Sequence, residues 1–286
     1  MASDNRFAVL IDADNVSVKY IKIILDEISK DGIATYKRIY GDWTNPSLIS
    51  WKSTLLDNSI IPVQQYSYTT GKNSTDSAMI IDAMDILYSG RVEGFCLVSS
   101  DSDFTRLAAR LRESGMTVIG MGESKTPNSF IAAGNKFKYL DILSAADEAE
   151  AEEAAPKAEP AKKPAAQPKK TAQKAAAKKP KEEPKAEKEP KPAEPKKQQE
   201  KAIEEPRTSL RTIRRALRTI VRDNSDEDNL SRVSQVGNLL DKRYTDFDVR
   251  NFGFSKLTPF LESLDMFEIK DMKKDSSSPQ KYVRLK

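Results

Sequence analysis

Four aspartates lie where an α/β fold collects its ligands, and their type and spacing suggest metal chemistry. Asp12 ends the first apolar segment of the chain, while Asp101 and Asp103 come shortly after the apolar run Phe95–Val98, separated from it by two serines. Asp76 opens an apolar helical pattern and shares a face with its buried positions. Because ligands bind at the carboxyl ends of parallel strands, we expect the four carboxylates to meet at one edge of a sheet.

Carboxylates gathered at one edge cannot all ionise without a compensating cation, because like charges raise each other's pKa. The candidate ligand atoms are all oxygens, so the ions that fit are Mg²⁺ or Mn²⁺. Such a centre polarises a phosphodiester oxygen and makes water a strong nucleophile. The structural alternative is helix capping: Ser100 or Asp101 would cap the helix predicted over Phe104–Glu113, and Asp12 and Asp76 would cap others.

The composition removes several kinds of catalysis. The 286 residues include no histidine, which excludes imidazole general bases, histidine triads and histidine-ligated metals. The one cysteine, Cys96, lies inside an apolar run, so an intrachain disulfide and a thiolate zinc site are both excluded. No G-x-G-x-x-G follows the first apolar segment and no Walker A motif occurs, which disfavours a dinucleotide-dependent dehydrogenase and a P-loop NTPase.

The elements that must position the aspartates alternate between strand and helix. The predicted strands are Arg6–Ile11, Ala34–Tyr40, Ile60–Tyr66, Phe95–Val98, Thr117–Gly122 and Phe137–Leu140. Helical patterns lie between them, including Asn45–Asp57 and Asp76–Tyr88. This alternation predicts a parallel sheet covered by helices on both faces. On the helix Asp76–Tyr88, Asp82 and Asp85 lie opposite the apolar face, so we expect them to be solvated.

Residues 148–206 have a different composition, dominated by Ala, Lys, Glu and Pro, with ten of the fifteen prolines of the chain. Proline interrupts helices, and too little apolar surface is available to offset the ordering entropy. We therefore predict a disordered linker, whose root-mean-square span would be roughly 40–45 Å or more. The alternative is that its lysines contact RNA directly.

Net charge also changes along the chain: 15 basic against 18 acidic residues in 1–147 give a net charge of −3, whereas 17 against 12 in 207–286 give +5.

Residues 207–286 predict a second folded unit. An apolar helical stripe runs over Leu210–Val221, and two further helices and two strands follow it. Three helices followed by a hairpin form a winged-helix arrangement. Four arginines share the polar face of the first helix: Arg211, Arg215, Arg218 and Arg222. This face suits phosphate contact, which is blind to sequence and sensitive to salt, although it would also serve as an ordinary solvated face.

Residues 6–142, within a domain predicted over residues 1–147, resemble a NYN domain of the bacterial LabA-like kind, a branch of the PIN-like ribonuclease superfamily. The resemblance rests on Ile11-Asp12-x-x-Asn15, on Lys72-x-x-x-Asp76 continuing to Asp82, and on the run Leu97–Phe104. It implies a Rossmann-like sheet and a metal-dependent ribonuclease in which Asp12, Asp76, Asp101 and Asp103 hold Mg²⁺ or Mn²⁺. It further implies that Asn15 and Ser100 are polar helpers and that Lys72 contacts phosphate. Asp82 fits the family pattern, but its predicted facing argues against ligation.

Residues 207–286 are similar to a LOTUS (OST-HTH) domain. The similarity rests on Leu230-Ser231, on Gly253-x-x-x-Leu257 and on the closing segment Tyr282–Leu285. It implies RNA binding, with G-rich or structured RNA as one preference, and in some members protein binding. The positions that would contact RNA are Arg211, Arg215, Arg218 and Arg222.

Together these features predict a metal-dependent ribonuclease, most simply an endonuclease, to which the winged helix brings RNA. Two alternatives remain: an RNA-binding regulatory adaptor without catalysis, and a small-molecule phosphohydrolase using the Asp12-x-Asp14 pair. Because no apolar run reaches the roughly 20 residues of a membrane span and no signal peptide is evident, we expect a soluble, cytoplasmic protein.

Overall fold

The computed structural model describes residues 5–66, 74–154, 208–226, 229–272 and 280–286, with side chains described at all of these except 74 and 149–154. Most of the predicted linker and the predicted phosphate contact Lys72 therefore lie outside the described residues. The described residues up to residue 152 and from residue 208 onward belong to one compact unit.

A six-stranded parallel sheet forms the centre of the N-terminal domain, with the strand order β3-β2-β1-β4-β5-β6. Its strands are β1 (Arg6–Asp12), β2 (Ile33–Gly41), β3 (Ile61–Gln64), β4 (Gly94–Val98), β5 (Thr117–Gly122) and β6 (Lys136–Tyr139). In β1, Phe7 and Val9 pack into one core while Ala8 and Leu10 pack into the other. Burial on both faces explains why the central strands are continuous apolar runs.

Helices cover both faces of this sheet, which confirms the predicted α/β fold. One layer contains α1 (Ile21–Asp31), α2 (Trp51–Asp57) and α6 (Leu140–Ala154). The other contains α3 (Ser74–Ser89), α4 (Thr105–Glu113) and α5 (Asn128–Ala133). Helix α6 was not predicted, and it extends to Ala154, beyond the predicted domain boundary at residue 147. Its start is fixed by Leu140 and Leu143, which are buried in the core.

The C-terminal domain has the predicted three helices and hairpin, with one additional short strand. Its elements are α7 (Leu210–Asp223), β7 (Ser231–Arg232), α8 (Val233–Arg243), α9 (Leu257–Ser263), β8 (Phe267–Met272) and β9 (Gln280–Leu285). The strands form an antiparallel sheet in the order β7-β9-β8. A single core joins the helices to this sheet through residues such as Leu217, Leu240, Phe260 and Val283. In the part of the chain that the structure describes, no helix is long and apolar enough to cross a bilayer.

Candidate functional site

Three of the four predicted metal-ligating aspartates come together at the carboxyl edge of the sheet. One carboxylate oxygen each from Asp76, Asp101 and Asp103 lies within 4.8 Å of the other two. Asp76 is supplied by the first turn of α3, while Asp101 and Asp103 follow β4. Asp76 is buried, Asp101 is half-buried and Asp103 is exposed, so the group is reached from solvent on one side. We call these three residues the acidic cluster.

The electrostatics of the acidic cluster favour a bound cation. Burial, followed by the negative charges of Asp12, Asp101 and Asp103, raises the pKa of Asp76 from 3.8 to about 6. Each of these charges disfavours ionisation of the Asp76 carboxyl group. A divalent cation at this position would remove that repulsion. The donor set is made only of carboxylate oxygens, which suits Mg²⁺ or Mn²⁺.

Asp12, the fourth predicted ligand, lies beside the acidic cluster with its carboxylate already held by three donors. It is fully buried at the end of β1. Oδ2 accepts hydrogen bonds from Nδ2 of Asn15 at 2.8 Å and from Oγ of Ser99 at 2.7 Å. Oδ1 accepts a bond from the backbone N–H of Asp14 at 3.0 Å. Burial raises the pKa of Asp12, and the bonds from Asn15 and Ser99 oppose that rise.

Ser99 links the two halves of the site, and the sequence analysis did not identify it. Its buried hydroxyl donates to Asp12 and accepts the backbone N–H of Asp101 at 3.0 Å. One side chain thus fixes the end of β1 relative to the chain that follows β4. Ser100, which was predicted as a polar helper, instead accepts the backbone N–H of Glu123 at 3.0 Å. The signal for Ser99 lay in the strand register, which pairs Ile11 with Val98 and so places Asp12 next to Ser99.

The capping alternative and the metal alternative are compatible at Asp101. Its Oδ1 accepts the backbone N–H of Asp103 at 2.9 Å, which caps the 3₁₀ turn Ser102–Phe104. The helix that follows, α4, begins one residue later and receives no side-chain cap. A carboxylate has two oxygens and about four acceptor sites, so one capping bond leaves capacity for a cation.

Hydrogen bonds at two residues of α3, Thr75 and Asp82, hold the helix and therefore Asp76 against the sheet. The hydroxyl of Thr75 donates to Oδ2 of Asp14 at 2.9 Å, which ties the start of the helix to the loop after β1. Further along, Asp82 accepts hydrogen bonds from Arg38 and from the hydroxyl of Tyr40, both on β2. The prediction that Asp82 is solvated was wrong for this reason: it faces an arginine and a tyrosine of the adjacent strand. Asp82 is not a member of the acidic cluster.

The predicted basic face lies on α7, and the structure divides it between two grooves. Arg211, Arg215 and Arg218 are exposed and line a groove of about 470 Å³ together with Arg214, which was not predicted. Arg214 also donates to the backbone carbonyl of Leu264 at 3.0 Å, so its guanidinium is held against the domain. Arg222 lines a different groove, of about 560 Å³, beside two other cationic side chains, Arg284 and Lys286.

The fold and the acidic cluster define a class of protein: an α/β domain with carboxylates gathered at the carboxyl edge of its sheet, joined to a winged helix. Comparison with known families agrees with that class. Residues 6–141 match the NYN domain, and residues 204–278 match the OST-HTH/LOTUS domain. The chain therefore contains a NYN domain followed by an OST-HTH/LOTUS domain, as the sequence predicted. This pair of domains indicates a protein associated with RNA.

Comparison with solved structures gives weaker similarities. A protein of unknown function from Vibrio parahaemolyticus is 19% identical, with a TM-score of 0.42, over 49% of this chain and 97% of its own. An uncharacterized protein from Nitrosomonas europaea is 24% identical, with a TM-score of 0.25, over 34% of this chain and 91% of its own. No curated protein matches the chain.

Proposed function

We propose that the protein is a Mg²⁺- or Mn²⁺-dependent ribonuclease that hydrolyses RNA phosphodiesters internally. The observation that carries the proposal is the acidic cluster, in which Asp76, Asp101 and Asp103 offer oxygens within 4.8 Å of one another. These three residues would hold the cation. When bound, it would stabilise charge on the phosphate and favour attack by water.

The surrounding residues position the acidic cluster rather than react. Ser99 holds Asp101 through its backbone N–H, and Asn15 holds the buried carboxylate of Asp12. In this proposal Asp12 adds negative charge behind the cation, with its own oxygens occupied by hydrogen bonds. Ser100 helps indirectly, because it fixes the chain after β5 against the site. Lys72, as the family resemblance implies, would contact a phosphate of the RNA.

The C-terminal domain would supply affinity for RNA. Arg211, Arg215 and Arg218 line one exposed groove, and a groove of clustered guanidinium groups suits a phosphate backbone. Arg222 would contact RNA from the neighbouring groove. Phosphate contacts do not read sequence, so any preference for G-rich or structured RNA must arise elsewhere.

The experiment is a comparison of the parent chain with Asp101→Asn on a labelled single-stranded RNA. We expect Mg²⁺- or Mn²⁺-dependent cleavage by the parent, 5′-phosphate ends on the products, and no cleavage by the variant. RNA retention on a filter should be equal for both proteins. The matched control is Asp85→Asn, an aspartate on the exposed side of α3, which should cleave like the parent.

Other outcomes lead to other functions. Equal cleavage by the parent and Asp101→Asn would remove the assignment of the acidic cluster as the catalytic centre. RNA binding without cleavage under any divalent cation would identify a regulatory RNA-binding adaptor. Turnover of phosphate monoesters without cleavage of RNA would identify a small-molecule phosphohydrolase.

A further inference from the structure

A second group of charged side chains lies where the C-terminal domain contacts the N-terminal domain. The side chain of Glu27, on α1, is only 3% exposed. Its two oxygens accept hydrogen bonds from the two terminal nitrogens of Arg250 at 2.5 and 2.9 Å. Lys138 of β6 and Lys30 of α1 also donate to Glu27, each at 2.5 Å. Glu27 is thus the centre of a buried ion pair that joins residues 223 positions apart.

The surroundings keep the Glu27 carboxylate charged. Burial on its own would raise the pKa of Glu27, but Arg250 and Lys138 reverse that effect and hold the pKa well below its usual range. Arg250 is oriented within its own domain by Asp248, whose Oδ2 lies 2.6 Å from the guanidinium. When the domains separate, Glu27 keeps its lysine partners but loses both hydrogen bonds from Arg250, and hydrogen bonds between charged groups are the stronger kind. The pair therefore favours contact between the domains.

Backbone and hydroxyl contacts extend the same interface along β6, an edge strand of the parallel sheet. The backbone N–H of Phe137 donates to the carbonyl oxygen of Thr245 at 2.6 Å. The hydroxyl of Tyr139 donates to Asp246 at 3.4 Å, and Asp246 is only 5% exposed. Asp246 also accepts the backbone N–H of Thr208 at 3.1 Å. The C-terminal domain thus covers a strand edge that would otherwise present unpaired backbone groups.

We propose that Glu27 and β6 form a docking surface for the chain's own OST-HTH/LOTUS domain, so that the two domains act as one body. This differs from the simple tether that the linker composition predicts. A flexible linker of that length would supply an effective concentration of about a millimolar or less. At an effective concentration of about 1 mM, two domains whose interface has an intrinsic Kd of about 100 µM would be docked in roughly nine molecules of ten. The docking proposal is independent of catalysis and of the identity of the RNA.

The test is a distance measurement between spin labels in the full chain. Lys52→Cys on α2 and Glu262→Cys on α9 place the labels at exposed positions of the two domains. The native Cys96 is fully buried, so the labels react with the introduced cysteines. We expect one narrow distance distribution for the parent. Arg250→Ala should broaden it, because the ratio of open to docked molecules should rise roughly a hundredfold.

Two further variants separate docking from damage to one domain. Arg232→Ala removes an exposed arginine of β7 and leaves the Glu27–Arg250 pair in place, so its distribution should stay narrow. Glu27→Gln combined with Arg250→Ala should open the interface no further than Arg250→Ala alone, since each change removes the same pair. A broad distribution in the parent, or a narrow one in Arg250→Ala, would overturn the proposal. Equal broadening by Arg232→Ala would also overturn it, because the effect would then not depend on the Glu27–Arg250 pair.

Discussion

The replacement Asp76→Asn should stabilise the metal-free protein at neutral pH while weakening metal binding. The pKa of Asp76 is about 6 in the folded state, against an ordinary value of 3.8. A folded-state pKa raised in this way means that the folded protein binds more protons than the unfolded chain between these two values. Stability therefore falls as the pH rises from about 4 to about 6, and the full penalty is present above that range.

The size of the effect follows from the size of the shift. Each pKa unit corresponds to about 1.4 kcal/mol, so a shift of roughly two units corresponds to about 3 kcal/mol at full ionisation. Water and salt screen part of this repulsion, since Asp103 is exposed. We therefore expect a gain of about 1–2 kcal/mol for Asp76→Asn at pH 7.5, or roughly 2–8 °C in Tm. At pH 4.5 the gain should be much smaller, because Asp76 is then mostly protonated in the folded parent.

Tryptophan fluorescence during thermal unfolding measures this prediction in the correct domain. Both tryptophans of the chain, Trp43 and Trp51, lie within the NYN domain. With a chelator at pH 7.5, the variant should unfold at a higher temperature than the parent. With Mn²⁺ in excess the order should reverse, because only the parent gains the full stabilisation of a bound ligand. Asp85→Asn is the control and should change neither result. If Asp76→Asn lowers Tm in the chelator, or if Mn²⁺ stabilises both proteins equally, the electrostatic account of the acidic cluster is incorrect.

Three other predictions concern the residues around the site and the basic groove. Ser99→Ala removes one of the three donors to the buried carboxylate of Asp12 and the acceptor of the Asp101 backbone N–H, and should destabilise the NYN domain by about 1–3 kcal/mol in urea unfolding; an unchanged midpoint would contradict this. A Cβ on Gly122 would lie 2.6 Å from the backbone oxygen of Ser99, so Gly122→Ala must displace the chain beside the site. The variant should therefore bind Mn²⁺ more weakly in calorimetry, whereas equal affinity would show that the site tolerates this displacement. Arg215→Ala should weaken RNA binding and reduce the slope of log K against log salt by about 0.7 for single-stranded RNA, and an unchanged slope would remove Arg215 from the contact.

The sequence was sufficient to predict the sheet because its central strands are short apolar runs and helical patterns separate successive strands. All six strands of the parallel sheet were placed within two residues at each end, and the largest difference is at β3, which ends at Gln64 rather than Tyr66. Helix α6 was missed because most of it is Ala and Glu, a composition that resembles the segment after it. The short strand β7, at two residues, carries no periodic signal of its own. Its existence depends on its pairing with β9.

The candidate site was predictable in its residue types but not in its hydrogen bonds. Asp76, Asp101 and Asp103 could be grouped because topology brings strand ends and helix starts to one edge. The contacts of Asp82 could not be predicted, because helical facing alone does not show that Arg38 and Tyr40 of β2 lie opposite it.

The interface between the domains was equally absent from the sequence pattern. Glu27 lies among apolar residues of α1, but glutamate is a residue type that usually occupies the protein surface. It forms its ion pair with a residue more than two hundred positions away, Arg250. Long-range ion pairs of this kind carry no local signal.

The central claim is that Asp76, Asp101 and Asp103 together hold one divalent cation, and anomalous diffraction from crystals soaked in Mn²⁺ tests it most directly. The account predicts one strong anomalous peak at the carboxyl edge of the sheet, with a carboxylate oxygen of each of the three aspartates within about 2.5 Å of it. No peak there at millimolar Mn²⁺, or a peak bound by other residues, would contradict it.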